Sequence, residues 1–494
     1  MPDFGLLSPI AAMPMAILSV AALVALVGGT LGRRGPAIAR ISSMVGLALT
    51  AAGLASLWAD RGSRALLAFT DTLVLDNFGV FASAAFLLGA VFAVLLGDAY
   101  LRDHARLAGE YHGLVLLATV GMIAMAMASD LVVAFLGLEL LSIPLYILAG
   151  LSARDARSNE ASLKYLLLGA FGSGFLLFGI ALLFGATGTT LLSDMVGDPR
   201  LRMALSPANL YFAAGAAMLL VGIGFKAGLV PFHMWVPDVY QGAPTPVSAF
   251  MATGPKAAAF VLLFRVFGQA FAGAAEQWTG ILWAMAVATM TVANLAALRQ
   301  TELKRLLAYS SISHAGTILL AVLAAPKDRA GSAQALLFYV VAYALMKAGA
   351  FGVVVWLQRQ QEGDVSIASL RGLASRQPGM ALAMGVLMFS LAGVPPMAGF
   401  WAKAWVFSEA LQAGFLGLTI LAVINSVVAA RYYLRVVVAM YMEEAGAADQ
   451  PTAEPSGCPS AIAAIWLAAA LTVLIGLVPG LVFVLGGQAG AMLR

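Results

Sequence analysis

Six ionisable side chains stand inside long apolar stretches of this chain. Glu139 lies within Phe135-Leu136-Gly137-Leu138-Glu139-Leu140-Leu141, and Lys164, Lys226, Lys256, Lys347 and Lys403 are likewise flanked by apolar residues. A charge at the centre of a bilayer costs ~2.5–3.5 kcal/mol or more unless it is paired or hydrated, and ordinary packing does not offset that cost. The chemistry open to such groups is proton transfer. Burial lowers the pKa of an ammonium, and a nearby carboxylate raises it again. A lysine that gains and loses a carboxylate partner therefore loads and releases a proton. Glu139 is the only carboxylate near the centre of the fourth to thirteenth stretches, which makes it the expected switching partner of Lys226. Lys256 would then relay toward the second half of the chain, and Lys403 would deliver to the exit. Moving one charge across a membrane involves about 2.3 kcal/mol per 100 mV, so modest pKa shifts suffice. Lys164 lies near the end of its stretch and is the one most able to snorkel.

Two histidines join this set. His233 stands beside Pro231, where an imidazole can gate or relay protons, and His314 lies within an apolar stretch where it can connect Lys256 to the second half. His104 and His112 are read as solvated, and Asp76 as structural. The four histidines lack metal-ligand spacing. The single cysteine, Cys458, excludes a Cys-ligated iron–sulfur cluster and an internal disulfide within the chain.

The elements that must position these residues are membrane spans. Of 494 residues, 62% are hydrophobic and 11% charged, against about 25% charged in a soluble domain. The net charge of +4 is spread over short loops and reports topology, so no nucleic-acid partner is expected. An all-α polytopic fold of about fourteen transmembrane helices is expected, at roughly 11–31, 38–58, 74–97, 113–129, 131–150, 163–186, 209–240, 244–268, 278–298, 304–325, 333–357, 380–410, 411–440 and 460–488. The first has no basic n-region before it and reads as a retained span, not a cleaved signal peptide. Loops on one side hold twelve Lys and Arg, among them Arg33, Arg34, Arg102, Arg106, Lys304 and Arg305; those on the other hold seven. The richer side is expected to be cytoplasmic, so both termini face outward.

Two features recur. Lys164 precedes Gly169-Ala170-Phe171-Gly172, and Lys347 precedes Gly349-Ala350-Phe351-Gly352. The next span is broken by Pro231 in the first case and by Pro395-Pro396 in the second. The offset is five spans, an odd number, so the two copies run in opposite orientations. Two inverted five-helix repeats with discontinuous helices 7 and 12 are the expected architecture. The division is then 1–110 for helices 1–3, 111–268 for the first repeat, 278–440 for the second, and 441–494 for a connector and the last helix. The run Gly169-Ala170-Phe171-Gly172-Ser173-Gly174 has no preceding strand and fails as a nucleotide site; close helix packing explains it. Nothing resembles a flavin or nicotinamide site.

Three long motifs carry a resemblance. They are Phe225-Lys226-Ala227-Gly228-Leu229-Val230-Pro231-Phe232-His233-Met234-Trp235-Val236-Pro237-Asp238, Leu303-Lys304-Arg305-Leu306-Leu307-Ala308-Tyr309-Ser310-Ser311-Ile312-Ser313-His314, and Gly393-Val394-Pro395-Pro396-Met397-Ala398-Gly399-Phe400-Trp401-Ala402-Lys403. Over roughly residues 70 to 440 the chain resembles the antiporter-like membrane subunits of respiratory complex I. Within them it is most similar to the N-type branch, the bacterial counterparts of mitochondrial subunit 2. The chain shows no room for the long lateral helix of the L-type, and Lys403 stands where the M-type is expected to carry a glutamate. The resemblance implies that Glu139, Lys226, Lys256 and Lys403 are the proton-handling residues, with Lys164 matching a Leu-Lys-Tyr segment and Lys347 a more variable position. It implies a proton-translocating subunit of NADH:quinone oxidoreductase in a bacterial inner membrane. NADH, FMN, iron–sulfur clusters and quinone would belong to partner subunits, and none to this chain. Its neighbours would be an M-type subunit, the small K-type and J-type subunits, and the lipid bilayer. The alternatives are a subunit of a multisubunit Na+/H+ antiporter or of a related membrane-bound hydrogenase or dehydrogenase.

Overall fold

In a medium without hydrogen-bonding partners, an apolar segment must satisfy its own N–H and C=O groups, and the α-helix does this within one segment. The computed structural model describes residues 9–61, 65–197, 209–359, 364–444 and 458–491, which are helical almost throughout. The helices before the first break are α1 (Met13–Gly29), α2 (Gly35–Arg61), α3 (Asn77–Leu101), α4 (Ala108–Met127), α5 (Leu131–Ala149), α6 (Ala156–Thr187), the short α7 (Leu192–Gly197) and α8 (Leu210–Ala227). After it come α9 (Trp235–Gly242), α10 (Thr245–Ala252), α11 (Gly254–Leu263), α12 (Ala275–Leu298), α13 (Leu303–Ala324) and α14 (Arg329–Gln358). The rest are α15 (Leu373–Arg376), α16 (Pro378–Ala392), α17 (Ala398–Gln412), α18 (Leu416–Met442), α19 (Pro459–Leu477) and α20 (Gly480–Ala491).

Among the described residues, twelve helical stretches are long and apolar enough to cross a membrane, two fewer than the sequence suggests. The shortfall lies at the first and twelfth expected spans. α1 has only 17 residues, and the twelfth is divided into α16 and α17 of 15 residues each.

The expected discontinuous helices 7 and 12, the seventh and twelfth spans, are interrupted where the prolines stand. α8 ends at Gly228, whose φ of 73° is open to glycine at little cost, and the chain re-enters a helix only at Trp235. α16 ends the same way at Gly393, with φ 91°, and α17 begins at Ala398. A third interruption has no counterpart in the sequence reading. The eighth expected span divides at Thr253 into α10 and α11 and then continues as a π-helical turn over Phe264–Ala270. Gly254-Pro255 marks that division, because proline removes a donor and is tolerated only in a helix's first turn.

A helix that is apolar all round must be enclosed, and α10, α11, α13 and α14 are almost wholly so, whereas α2, α6 and α18 lie outside. α6 and α8 press backbone to backbone. A methyl group on Gly179 would lie 2.8 Å from the Gly215 carbonyl oxygen, and one on Gly215 would lie 3.0 Å from that of Gly179.

Two strands not expected from the sequence, β1 (Leu66–Ala68) and β2 (Leu73–Leu75), pair antiparallel in front of α3. Of the proline-bearing connector, residues 445–457 lie outside the described residues. Cys458 immediately precedes α19 and is buried.

Candidate functional site

α13 carries Ser310, Ser311, Ser313, His314 and Thr317, all buried. Inside an apolar bundle such groups need partners, and two lysines and three tyrosines supply them to Ser310, Ser311 and His314. Lys256, in the first turn of α11, donates from Nζ to the Ser311 carbonyl oxygen at 2.9 Å and to Ser311 Oγ at 2.6 Å. The Tyr343 hydroxyl donates to the same Oγ at 2.7 Å. Lys347, on α14, donates to the Leu307 carbonyl at 2.9 Å and to Ser310 Oγ at 2.7 Å. The two ammonium groups therefore grip adjacent turns of one helix. Ser310 Oγ is hydrogen-bonded to the Tyr433 hydroxyl of α18. That hydroxyl also meets His314 Nε2 at 3.1 Å, and His314 Nδ1 meets the Tyr339 hydroxyl at 2.6 Å.

Lys403 reaches back over the break in helix 12. Its Nζ donates to the carbonyls of Leu391 at 3.1 Å and Ala392 at 2.9 Å, at the negative end of α16. Lys403 and His314 share a polar cavity of ≈ 10 Å3 with Ser313, Thr317, Asn425 and Tyr433, room for about one water. Sequence reasoning assigned His314 to link Lys256 with the second half. The hydrogen bonds reach His314 from Lys347, through Ser310 and Tyr433, while Lys256 connects to Tyr343.

Lys226 lies near the end of α8. Its Nζ donates to Ser142 Oγ at 2.8 Å and to the Tyr165 hydroxyl at 3.0 Å, and it sits 5.1 Å from the Tyr165 ring centroid. Tyr165 stacks on Trp235, with centroids 4.5 Å apart. Glu139 lies one turn before Ser142 on α5 and accepts from Ser173 Oγ of α6. Among the described residues no ion pair joins Glu139 to Lys226; Ser142 takes the place expected of the carboxylate. Lys256 is nevertheless close to this half, since a methyl group on Gly228 would lie 3.7 Å from Lys256 Nζ.

Lys164 differs from the other lysines. Its side chain is 41% exposed and pairs with Glu160 at 2.7 Å and Asp238 at 3.0 Å. Arg305 holds the other oxygen of Asp238 at 2.9 Å. Lys164, Glu160 and Asp238 line a polar recess of ≈ 290 Å3 with Arg157 and Gln241. His233 is half-buried in the break after α8 and makes no hydrogen bond to any of the lysines among the described residues.

Three groups escaped the sequence reading. Lys304, counted there as a loop charge, is buried and donates to the Ala243 carbonyl beyond α9 at 2.8 Å. His112, read as solvated, is 1% exposed on α4. Arg265 and Asp76 form an enclosed two-pronged ion pair, Nη1 to Oδ2 at 3.0 Å and Nη2 to Oδ1 at 2.7 Å. Arg265 stands in an apolar run as plainly as Lys256 does, so the rule that flagged the lysines applies equally to it.

The family described as NADH:quinone oxidoreductase/Mrp antiporter, TM matches residues 128–429, a range that holds every residue discussed from Glu139 to Lys403. A curated relative, NADH-quinone oxidoreductase subunit N of Trichlorobacter lovleyi, is 46% identical over 375 residues, 76% of each chain. A chain in respiratory complex I from Thermus thermophilus superposes with a TM-score of 0.79 at 40% identity, covering 95% of this chain and 98% of that one. A chain of a membrane-bound sulfane sulfur reductase, an archaeal respiratory membrane complex, superposes with a TM-score of 0.84 at 26% identity, covering 98% of both. The fold is thus similar across both complexes, and sequence identity is higher with the complex I chains.

Proposed function

This chain belongs to the NADH-quinone oxidoreductase subunit N family, membrane subunits of respiratory complex I, and on that premise we propose that it conducts protons through the side chains that meet on α13. The observation that carries this reading is the pair of buried ammonium groups, Lys256 and Lys347, held on adjacent turns of α13 beside a hydroxyl and imidazole chain.

The exposed Lys164, with Glu160 and Asp238, forms the mouth of the path. Lys226 takes the next proton. Protonation of Glu139 and its return to the carboxylate change the field at Lys226, with Ser142 holding the ammonium in the meantime. Past the break at Gly228, Lys256 hands a proton to Ser311 Oγ, which releases its own toward the deprotonated amine of Lys347, held on the neighbouring Ser310. A hydroxyl suits this step because it donates and accepts at once. From Lys347 the sequence is Ser310, Tyr433 and His314, and a water in the cavity between His314 and Lys403 completes the passage to the break in helix 12. His233 gates the first break.

In this reading fourteen spans form, with two inverted five-helix repeats at 111–268 and 278–440. The matched breaks at Gly228 and Gly393 support it. Residues 1–110 and 441–494 flank the repeats. Both termini face the periplasm of a bacterial inner membrane. Electron transfer from NADH through FMN and iron–sulfur clusters to quinone takes place in partner subunits, and reaches this chain as an electrostatic pulse along a membrane arm that includes M-type, K-type and J-type subunits.

The test is proton pumping by the complex in proteoliposomes. Glu139→Ala and Lys226→Ala each lower pumping about tenfold or more, with coupled quinone reduction falling alongside and assembly intact. Full pumping by either variant removes that residue from the path.

A further inference from the structure

On α2, Arg40, Met44, Ala48, Ala51, Ala55 and Trp58 recur at intervals of three and four and share one face. On α3, Phe81, Ala84, Leu88 and Val91 do the same, and Asp98 follows on that face two turns later. Between the two faces lies an apolar groove of ≈ 630 Å3, walled on one side by Leu485 of α20. The groove stays open because alanine adds only a methyl group, and Ala48, Ala51, Ala55 and Ala84 are all exposed. Trp58 packs on Phe81 at its far end, with centroids 6.4 Å apart.

One helical turn before Met44 the character changes. A polar recess of ≈ 490 Å3 is lined by Arg40, Asp98, Arg102, His112 and Ser460. Asp98 is engaged by Arg40 at 3.1 Å. The charged residues that line the recess are Arg40 and Arg102 against Asp98, so it is basic.

We propose that groove and recess form one binding site for an anionic phospholipid, with its phosphate between Arg40 and Arg102 and an acyl chain along Met44 to Trp58. From Met44 to Trp58 the groove runs about 21 Å. Half of a ~30 Å hydrocarbon core is about 15 Å, so an acyl chain entering at Arg40 is lined over its whole depth. A partner helix fits poorly. At 10–12 Å in diameter it would fill about 2,000 Å3 over that length, some three times the groove. Basic pockets between membrane helices select anionic head groups. The site lies away from α13 and does not rest on the proton reading.

The experiment uses the whole complex in phosphatidylcholine vesicles doped with a phosphatidylglycerol whose acyl chain carries a diazirine. A parallel sample carries the same chain on phosphatidylcholine. After irradiation, labelled peptides are mapped by mass spectrometry. The anionic probe is expected to label residues 44–58 and 81–91 about five- to twenty-five-fold more than the zwitterionic one, at about fivefold per arginine. Arg40→Gln and Arg102→Gln each lower that label about fivefold, and Ala51→Trp, which fills the groove, removes it. Equal labelling by the two probes in the unaltered complex, a comparison that needs no variant, reduces the site to unselective lipid contact and overturns the proposal. So does an absence of label there, which would mean that protein covers the groove.

Discussion

Asp76→Asn leaves Arg265 charged, enclosed and without a carboxylate. The two side chains are 4% and 5% exposed, and the guanidinium is committed three times, twice to Asp76 and once from Nε to the Ala126 carbonyl at 2.6 Å. Breaking one partner of such a pair costs about 3–5 kcal/mol, because the remaining charge stays buried and unpaired. Arg265→Met strands Asp76 in the same way, although the Gly79 N–H still donates to it at 2.7 Å. Replacing both at once, Asp76→Leu with Arg265→Met, removes both charges from the interior. Such exchanges are often neutral, and the remaining cost is the α3 cap that Asp76 provides, about 1 kcal/mol. The singles would sum to about 6–10 kcal/mol, against about 1–2 for the double. Heating the purified complexes and following soluble retention of this chain gives apparent melting temperatures for all four forms. The expected order is unaltered protein at or above the double variant, with both singles well below. A double variant that melts lowest of all would show that the two charges act independently, and would refute the reasoning.

Ser311→Ala removes the hydroxyl shared by Lys256 and Tyr343 but keeps the backbone carbonyl that also holds Lys256. Pumping in proteoliposomes is expected to fall by about tenfold, the equivalent of ~1–2 kcal/mol for one lost buried partner, and by less than in Lys256→Ala. Lys164→Ala breaks two exposed ion pairs worth up to ~1 kcal/mol. Pumping is expected to fall no more than about fivefold, and a loss as deep as that of Lys226→Ala would contradict the surface position given to Lys164.

The sequence shows charges in apolar runs, and so it shows Glu139, Lys226, Lys256, Lys347 and Lys403 without any structure. It shows the breaks after α8 and α16 for the same reason, because proline has a fixed backbone consequence. What it does not show is pairing. Ser142 replaces Glu139 as the contact of Lys226 because helical rise and rotation set which of two residues three apart faces α8. Arg265 and Asp76 are 189 residues apart, and nothing local ties one to the other. His112 reads as solvated because its span is expected to begin at 113, five residues into α4, and Lys304 reads as a loop charge because it stands at the very start of its span, where a single turn separates solvent from core. The division at Thr253 was overlooked because Gly254-Pro255 lies in the middle of an apolar run, where hydropathy alone carries the eye across.

The contact between Gly179 and Gly215 acts on Lys226 from a distance. Gly179 is fourteen residues along α6 from Tyr165, about 21 Å, and Gly215 is eleven along α8 from Lys226. The two helices behave as the arms of a caliper held by that bare-backbone contact and by a second one nearer the jaws, where a methyl group on Gly222 would lie 2.9 Å from the Gly172 carbonyl oxygen. A side chain as small as alanine at either glycine opens the jaws, and the gap widens where Tyr165 and Lys226 now meet at 3.0 Å. The reach of a phenol to an ammonium is therefore gauged by two hydrogen atoms far along the bundle, at positions that carry no chemistry of their own.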